Sequence, residues 1–389
     1  MTSTKSSVLM MTSDFLPGIG GAEKQLHRLS MKLIESNWSV TVLTRRHGFE
    51  HLKDVLPNEM IDGISVHRLY SNGPSKLASL LYLVNGVVKV ARHERNVICH
   101  AHGIGAQSWL AVLSSWILNG YSVCKLRGGK EHYAQLLESR IRRTAFHAAI
   151  RNFDKLIVVN SAMISFLEEQ GVERSRIEYI PNGVDTDAFL PACQDDRAKI
   201  RSGLGIEKNA VVFVYVGRLE HIKGVDLLLD AWAEMDAGAR ANSRLLIVGG
   251  GSHESNFRER ITSRPELYQG VSMLGEQRAV LKYYKASNHL VLPSRSEGLS
   301  NAMVEAMACG LPPVVSNVGG ALDLIDDGVN GWFFDVGDPL SLASVLTRAN
   351  QESSARPQMG IAARQKILNK ASIRATAESI ESLYEKMTT

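Results

Sequence analysis

Apolar positions along the chain fall into short unbroken runs separated by stretches with helical spacing. The run 8–11 leads to a glycine turn, Gly18-Ile19-Gly20-Gly21, and apolar residues then recur at helical spacing over 22–35, which predicts strand, glycine loop and helix. Runs at 40–43, 97–99, 121–126 and 156–159 read as further buried strands with helical stretches between them. Strands apolar on both faces that alternate with helices build parallel sheets covered on both sides. The pattern pauses at Ile180-Pro181-Asn182-Gly183 and through the polar stretch 192–208, where a linker is expected. It restarts with strands at 211–216, 245–248, 271–274, 290–292 and 313–316, and with helices such as 224–235 and 303–309. The last stretch, 372–386, is amphipathic and predicts a helix packing back on the first series. The expected fold is α/β, with two doubly wound domains: 1–187 together with 372–389, and 188–371.

Composition narrows the class. A chain of 389 residues suits two domains, and 44% hydrophobic with 22% charged residues is a globular composition. No stretch reaches the roughly 18 uninterrupted apolar residues of a spanning helix, and the start MTSTKSSVLMMTSDF has too short an apolar run for a signal peptide, so a cytoplasmic location is expected. Cys99, Cys124, Cys193 and Cys309 form no CxxC pair, which argues against a disulfide framework and a zinc site. The net charge of +4 is mild, with the basic surplus in the N-terminal half, and no nucleic-acid partner is expected.

In open α/β sheets ligands bind beyond the carboxyl ends of the strands, where glycine turns admit phosphate and helix N-termini add positive charge. The Gly18–Gly21 turn fails as a dinucleotide fingerprint because the third glycine would fall at Glu23, and Gly249-Gly250-Gly251 fails at Glu254. Tight turning explains Gly249–Gly251 equally well. Arg218 and Lys223, five residues apart between a strand end and a helix start, suit a diphosphate, whose charge they would offset as it departs. In Pro293-Ser294-Arg295-Ser296-Glu297-Gly298-Leu299-Ser300-Asn301, a loop carboxylate precedes a helix start capped by Ser300 or Asn301, and Glu305 follows on the helix. Glu297 can accept hydrogen bonds from sugar hydroxyls, amides near 299–302 can donate to sugar or phosphate oxygens, and Glu305 can hold a ribose diol.

These stretches resemble the donor site of the retaining GT-B glycosyltransferases of glycosyltransferase family 4. Glu297 and Glu305 match its EX7E signature. Gly20-Gly21-Ala22-Glu23, Pro181-Asn182-Gly183-Val184-Asp185 and Gly217-Arg218 with Lys223-Gly224 match its other landmarks in order, over nearly the whole chain. The resemblance implies two Rossmann-like domains facing each other across a cleft. It also implies transfer of a sugar from a nucleotide-sugar donor, UDP-sugar ahead of GDP-sugar, to a hydroxyl acceptor such as a lipid-linked or polysaccharide intermediate, with retention and with neither metal nor cofactor. By it, Arg218, Lys223, Glu297 and His102 form the catalytic set, and Gly20 and Gly21 join the two cations on the diphosphate. Glu297, Gly298, Leu299, Ser300, Asn301 and His102 would meet the sugar, Glu305 the ribose, and Leu274-Gly275 the base. His100, two residues before His102, is assigned to packing or orientation, and the HxH pair is not expected to bind metal.

Two departures stand out. Ser287-Asn288-His289 replaces a commoner Ala-Asp dipeptide and is read as structural variation. Leu126-Arg127-Gly128-Gly129-Lys130-Glu131-His132 replaces a Thr-x-His-Gly-like pattern and places Arg127, Gly128 and Lys130 on the acceptor side. Asp185-Thr186-Asp187 resembles a metal-binding DxD but sits far from the donor motifs and is discounted. Rival readings are a nucleotide-sugar epimerase or phosphorylase of similar architecture and a non-catalytic sugar-nucleotide binder. Arg140, Arg142, Arg143, His147, Arg151 and Lys155, interspersed with Leu136, Leu137, Ile141, Phe146, Ile150 and Phe153, could rest on anionic lipid at the inner face of a membrane.

Overall fold

The computed structural model describes residues 6–18, 20–46, 55–71, 75–352 and 354–388; Ile19 of the first glycine turn lies outside them. The chain divides into two compact units, Met1–Gly183 with Ile373–Thr389 and Val184–Ser372.

The first unit is built on eight strands: β1 (Ser7–Met11), β2 (Ser39–Arg45), β3 (Asn58–Ile61), β4 (Ile64–Leu69), β5 (Ile98–His102), β6 (Tyr121–Leu126), β7 (Lys155–Val158) and β8 (Ile177–Tyr179). They lie in the order β3-β4-β2-β1-β5-β6-β7-β8, all parallel except the antiparallel β3–β4 hairpin at one edge. That hairpin was not expected from periodicity. It turns at Asp62-Gly63, both with positive φ, the conformation that matches strand twist in a two-residue hairpin. Side chains alternate between the two sheet faces, so Cys99, Ala101, Cys124 and Leu126 join one core, while Ile98, Val123 and Ile157 join the other. Helix Ile373–Thr388 completes the second core through Ile380, Leu383 and Tyr384, against helix Gly21–Glu35. The Tyr384 ring meets Trp38 edge-on at 5.3 Å. Such packing keeps an amphipathic C-terminal helix on the first unit.

The second unit contains β9 (Val211–Val216), β10 (Ser243–Val248), β11 (Val271–Gly275), β12 (His289–Leu292), β13 (Pro313–Ser316) and β14 (Trp332–Phe334), all parallel in the order β11-β10-β9-β12-β13-β14. Phe213 on β9 is flanked by Trp232 and His289, and His289 also packs on Trp332. The stretch expected to be a linker, 192–208, instead carries helix Gln194–Gly203 of this unit. Polarity misled the reading because the helix docks through a buried arginine. Arg201 donates to the carbonyls of Ala286, Lys208 and Ala210 at 2.8–3.0 Å and to Asn288 Oδ1 at 2.7 Å. Asn288 in turn accepts from the Val212 amide at 2.8 Å, which gives the unusual Ser287-Asn288-His289 sequence a structural role.

Replacing Arg201 by Met keeps the apolar stem and leaves three carbonyls without their donor. The cost should be about 2–4 kcal/mol. Thermal unfolding should shift several degrees downward; an unchanged midpoint would show that the arginine does not brace the helix.

Candidate active site

Both units expose loops at the carboxyl ends of parallel strands. In the second unit four of these loops converge. After β9 the chain passes Gly217 and Arg218 to a short turn, His221–Lys223, and enters helix Val225–Glu234 through Gly224, whose φ is 69°. A side chain at Gly224 would collide with the Pro293 carbonyl at the start of the loop after β12. A side chain at Gly249 would collide with the Gly217 carbonyl, and the Gly249 amide donates to the Gly275 carbonyl at 2.8 Å. The three-glycine turn thus fits its loop against its neighbours. The carbonyl of Leu274 is likewise engaged, by Gln277 Nε2 at 2.8 Å.

The acid loop is fixed on several sides. Arg295 donates to His221 O at 2.6 Å and to both Asp226 oxygens at 2.9 and 2.6 Å, and its amide donates to Ile222 O at 2.9 Å. Burial opposes ionisation of Asp226, but the Arg295 bonds outweigh it and hold the carboxyl below its ordinary value. Ser316 Oγ donates to Ser294 O at 2.6 Å, and the Gly320 amide donates to Gly298 O at 2.6 Å. Gly319 brings its backbone against the Glu297 carbonyl, where a Cβ would not fit. Sequence reading passed over Gly319 and Gly320; a glycine pair directly after a strand and a short turn was the available signal.

Within this frame Lys223 Nζ donates to Glu297 Oε2 at 2.6 Å, and Ser294 Oγ donates to the same oxygen at 3.2 Å. Ser300 caps helix Asn301–Ala308 by accepting from the Met303 amide at 3.4 Å. Glu305 is buried on that helix and accepts from the Tyr284 hydroxyl at 3.3 Å. Arg218 lies apart from this pair: its guanidinium is exposed and donates to Glu220 at 2.7 Å. The cavity behind the loop, lined by Leu292, Ser294, Glu297 and Met303 among others, measures about 10 Å³, room for one water and not for a sugar ring.

The first unit supplies the remaining candidates. Gly20 caps helix Gly21–Glu35, and the Glu23 carboxylate folds back over it. His102 ends β5, buried, its ring stacked on His100 at 4.4 Å and its Nε2 3.4 Å from Met10 Sδ. Burial first, then repulsion from His100, Lys125 and Arg127, drives its pKa well below the ordinary value, so the imidazole is neutral and acts as a hydrogen-bonding group. His100 Nδ1 lies 2.5 Å from the Tyr384 hydroxyl, and burial pushes its pKa to about 3. The contact with Tyr384 packs His100 against the C-terminal helix. Arg127 and Gly128 follow β6, and Lys130 opens helix Lys130–Glu138 on the surface. The DxD-like tripeptide serves a turn: Asp185 Oδ1 accepts from the amides of Asp187 and Ala188 at 3.0 Å.

The basic stretch resolves differently from its expectation. Lys155 is on β7, paired with Glu178, and Phe146, Ile150 and Phe153 are buried in the core. Leu136 and Leu137 lie on the preceding helix, partly buried against that core. Helix Arg140–Arg151 exposes Ile141 together with Arg140, Arg142, Arg143 and Arg151.

Comparison with known proteins decides the family. Residues 19–188 match the family described as "Glycosyltransferase Family 4", and residues 196–366 match "Glycosyl transferases group 1". The chain is a family 4 glycosyltransferase. It is 26% identical over 374 residues to the D-inositol 3-phosphate glycosyltransferase of Thermobifida fusca, covering 88% of this chain and 83% of that protein. Two solved structures share the GT-B fold at 20% identity: sucrose-phosphate synthase from Thermosynechococcus elongatus, with a TM-score of 0.82 over 98% of this chain and 99% of that one, and Anabaena HepE in complex with UDP, with 0.79 over 98% and 100%. The glycosyltransferase thus consists of two Rossmann-like domains, with Glu297 and Glu305 in the second and His102 in the first.

Buried neutral histidines make the glycosyltransferase acid-sensitive. His100 and His102 protonate at about 6.5 in the unfolded chain and far lower in the fold, so their contribution is complete above pH 6.5 and is lost as pH falls, that of His100 toward about 3. Each should add a slope of about 1.4 kcal/mol per pH unit. The thermal midpoint should therefore drop between pH 7 and pH 5, less steeply in His102→Gln; a flat profile would show that these imidazoles charge freely in the fold.

Proposed function

We propose that this glycosyltransferase moves a sugar with retention of configuration from a nucleotide-sugar donor, a UDP-sugar ahead of a GDP-sugar, to a hydroxyl acceptor, and that it does so without a metal. The observation that carries the reading is the 2.6 Å contact between Lys223 and Glu297 at the carboxyl ends of the second sheet. A donor whose diphosphate meets Lys223 has its sugar within reach of Glu297, so one short contact ties the leaving group to the transferred ring. The family match and the complexes of Anabaena HepE with UDP and with UDP-glucose support such a donor. The acceptor class, a lipid-linked or polysaccharide intermediate, rests on the family resemblance.

In this mechanism the bond between the anomeric carbon and the diphosphate oxygen breaks, and the acceptor oxygen bonds to the same face of that carbon. The acceptor proton passes to the departing phosphate. Arg218 and Lys223 offset the charge building on the diphosphate, aided by the amides at Gly20 and Gly21. Glu297, with the Gly298, Leu299, Ser300 and Asn301 backbone, holds the sugar hydroxyls, and neutral His102 adds a hydrogen bond near the reacting carbon. Glu305 takes the ribose, and Leu274 with Gly275 borders the base. Two fixed cations supply the charge that a divalent ion would otherwise bring. An epimerase or a non-catalytic binder would share the donor contacts and lack transfer.

A thermal-shift screen of UDP-, GDP- and ADP-sugars in EDTA tests the donor site. UDP-sugars should stabilise the protein, and the Arg218→Ala/Lys223→Ala variant should lose the effect; dependence on added metal, or no shift in folded protein, would overturn the reading. With a transferring acceptor, Glu297→Gln should lower kcat by about 10²–10³-fold, and NMR of the product should show the donor's anomeric configuration. Inversion would exclude the mechanism.

The exposed Arg140, Arg142, Arg143 and Arg151, with Ile141, favour peripheral contact with an anionic membrane. Co-sedimentation with phosphatidylglycerol vesicles should fall when these arginines become glutamine; unchanged co-sedimentation would remove the contact.

A further inference from the structure

One face of the first sheet is covered by helices whose outer side is apolar. Helices Ser75–Val90 and Ala106–Leu118 send Tyr82, Val90, Leu110 and Leu118 into the core on that face. They approach each other closely, because a side chain at Gly86 would collide with Leu110. On the outside of the first helix Leu77, Leu80, Val84 and Val88 are between 48% and 58% exposed, and at steps of three and four residues they form a single stripe. On the second, Trp116 is 64% and Ile117 44% exposed. Scattered apolar residues on a surface are ordinary, but these lie together on two packed helices and make a patch that water disfavours. The helices on the opposite face, Gly21–Glu35 and Ile373–Thr388, carry charges of both signs and expose no large apolar side chain among the described residues.

The charge around the patch selects what covers it. Helix Ala106–Leu118 holds no charged residue, and helix Ser75–Val90 holds only Lys76 and Lys89, one on each side of the stripe. The turn that follows adds exposed Arg92 and Arg95 against Glu94. The Asn96 amide donates to the Leu118 carbonyl at 3.0 Å, which puts that turn at the Trp116 end of the patch. Helix Arg140–Arg151 sends Phe146 and Ile150 into the same core, so its exposed arginines and Ile141 belong to the same face of the sheet. Helix Lys130–Glu138, beside it, contributes the acids Glu131 and Glu138. A second copy docking through the same face would bring Lys76 and Lys89 against their own kind, with no acid on either apolar helix to meet them. A bilayer surface offers apolar depth to the stripe and anionic headgroups to the cations. Lysines at the edge of such a stripe lay their stems along apolar surface and keep the ammonium among the headgroups, and tryptophan suits the same boundary. Among the described residues no helix is long and apolar enough to cross a membrane, so the contact is made from one side.

We infer that the outer face of helices Ser75–Val90 and Ala106–Leu118 inserts into the interfacial layer of an anionic lipid bilayer, with the stripe from Leu77 to Val88 and Trp116 below the headgroups and Lys76 and Lys89 among them. The inference goes beyond the attraction of the arginines of helix Arg140–Arg151 to headgroups. It gives the membrane contact an apolar anchor on two other helices, and with it a component of binding that salt does not screen. It rests on the proposed membrane contact for the charge of the lipid and on the exposed stripe for the insertion.

Vesicles of phosphatidylglycerol and phosphatidylcholine test it, with bromine on the acyl chains of the phosphatidylcholine as a quencher. Trp38, Trp232 and Trp332 are buried and Trp109 is half-buried, so Trp116 is the exposed tryptophan. Brominated chains should quench the tryptophan emission of the bound protein, and the quenching should be largely lost in Trp116→Phe. Leu80→Gln/Val84→Gln changes side chains already in contact with water, so its thermal midpoint should match the wild type, while its affinity for vesicles should fall about tenfold or more. In about 0.5 M salt wild-type binding should weaken but persist, and the double variant should no longer sediment with vesicles. Absent quenching, wild-type binding abolished by salt, or binding indifferent to Leu80→Gln/Val84→Gln would each overturn the inference. So would a wild-type dimer in sedimentation velocity that the double variant breaks up, which would give the face to a second copy. Replacing Arg140, Arg142, Arg143 and Arg151 by glutamine reports on the arginine contact separately. Binding unchanged in that variant but lost in Leu80→Gln/Val84→Gln would remove the arginine contact and leave the apolar anchor supported.

Discussion

At the carboxyl end of the second sheet the Gly224 backbone lies against the Pro293 carbonyl, and the Gly319 backbone lies against the Glu297 carbonyl, with no room for a side chain at either. The acid loop is therefore clamped by main chain on two sides. Main-chain contact is short and has few rotatable bonds, so it fixes position more firmly than a pair of long side chains can. The Lys223–Glu297 contact, the Arg295 bridge to Asp226 and the Ser300 cap all depend on that placement. A side chain introduced at either glycine would displace the loop and disturb all of them together.

The two domains handle positive charge in opposite ways. In the second, each cation of the site meets a carboxylate: Lys223 with Glu297, Arg218 with Glu220, Arg295 with Asp226. In the first, Lys125 and Arg127 face neutral imidazoles and each other. Paired cations can exchange a protein carboxylate for a ligand oxygen at modest cost, because one acceptor replaces another. Unpaired buried cations gain an acceptor outright when an anion binds, which makes them selective for a charged ligand.

Much of the architecture was legible because a parallel sheet buries both faces, and its strands then stand out as apolar runs; 121–126, 211–216 and 313–316 coincide with β6, β9 and β13. The edges were not legible in this way. β3 (Asn-Glu-Met-Ile) and β4 (Ile-Ser-Val-His-Arg-Leu) mix polar with apolar residues and form no unbroken apolar run, and β8 and β14 are only three residues long, too short to register as runs. The Asp62-Gly63 pair did signal a hairpin through its demand for positive φ, and it was the chemistry to read there rather than periodicity. The helix at Gln194–Gly203 was hidden for the opposite reason: its docking residue is an arginine, whose hydrogen bonds to carbonyls and to Asn288 are made only in the folded chain.

The sequence by itself determined the family, the two-domain α/β organisation and the identity of the residues at the ends of the strands, because glycines, acids and cations at fixed spacing are local properties. Only the tertiary structure decided which of those residues touch. It brought Lys223 to Glu297 across 74 positions of sequence and left Arg218 on the surface, and it turned Phe146, Ile150 and Phe153 into the core rather than outward. It also set Lys125 beside His102, by the register of β5 on β6. A lysine in an apolar run is indistinguishable by sequence from one that points to water. Burial and the absence of a partner among the described residues exist only once the strands are paired.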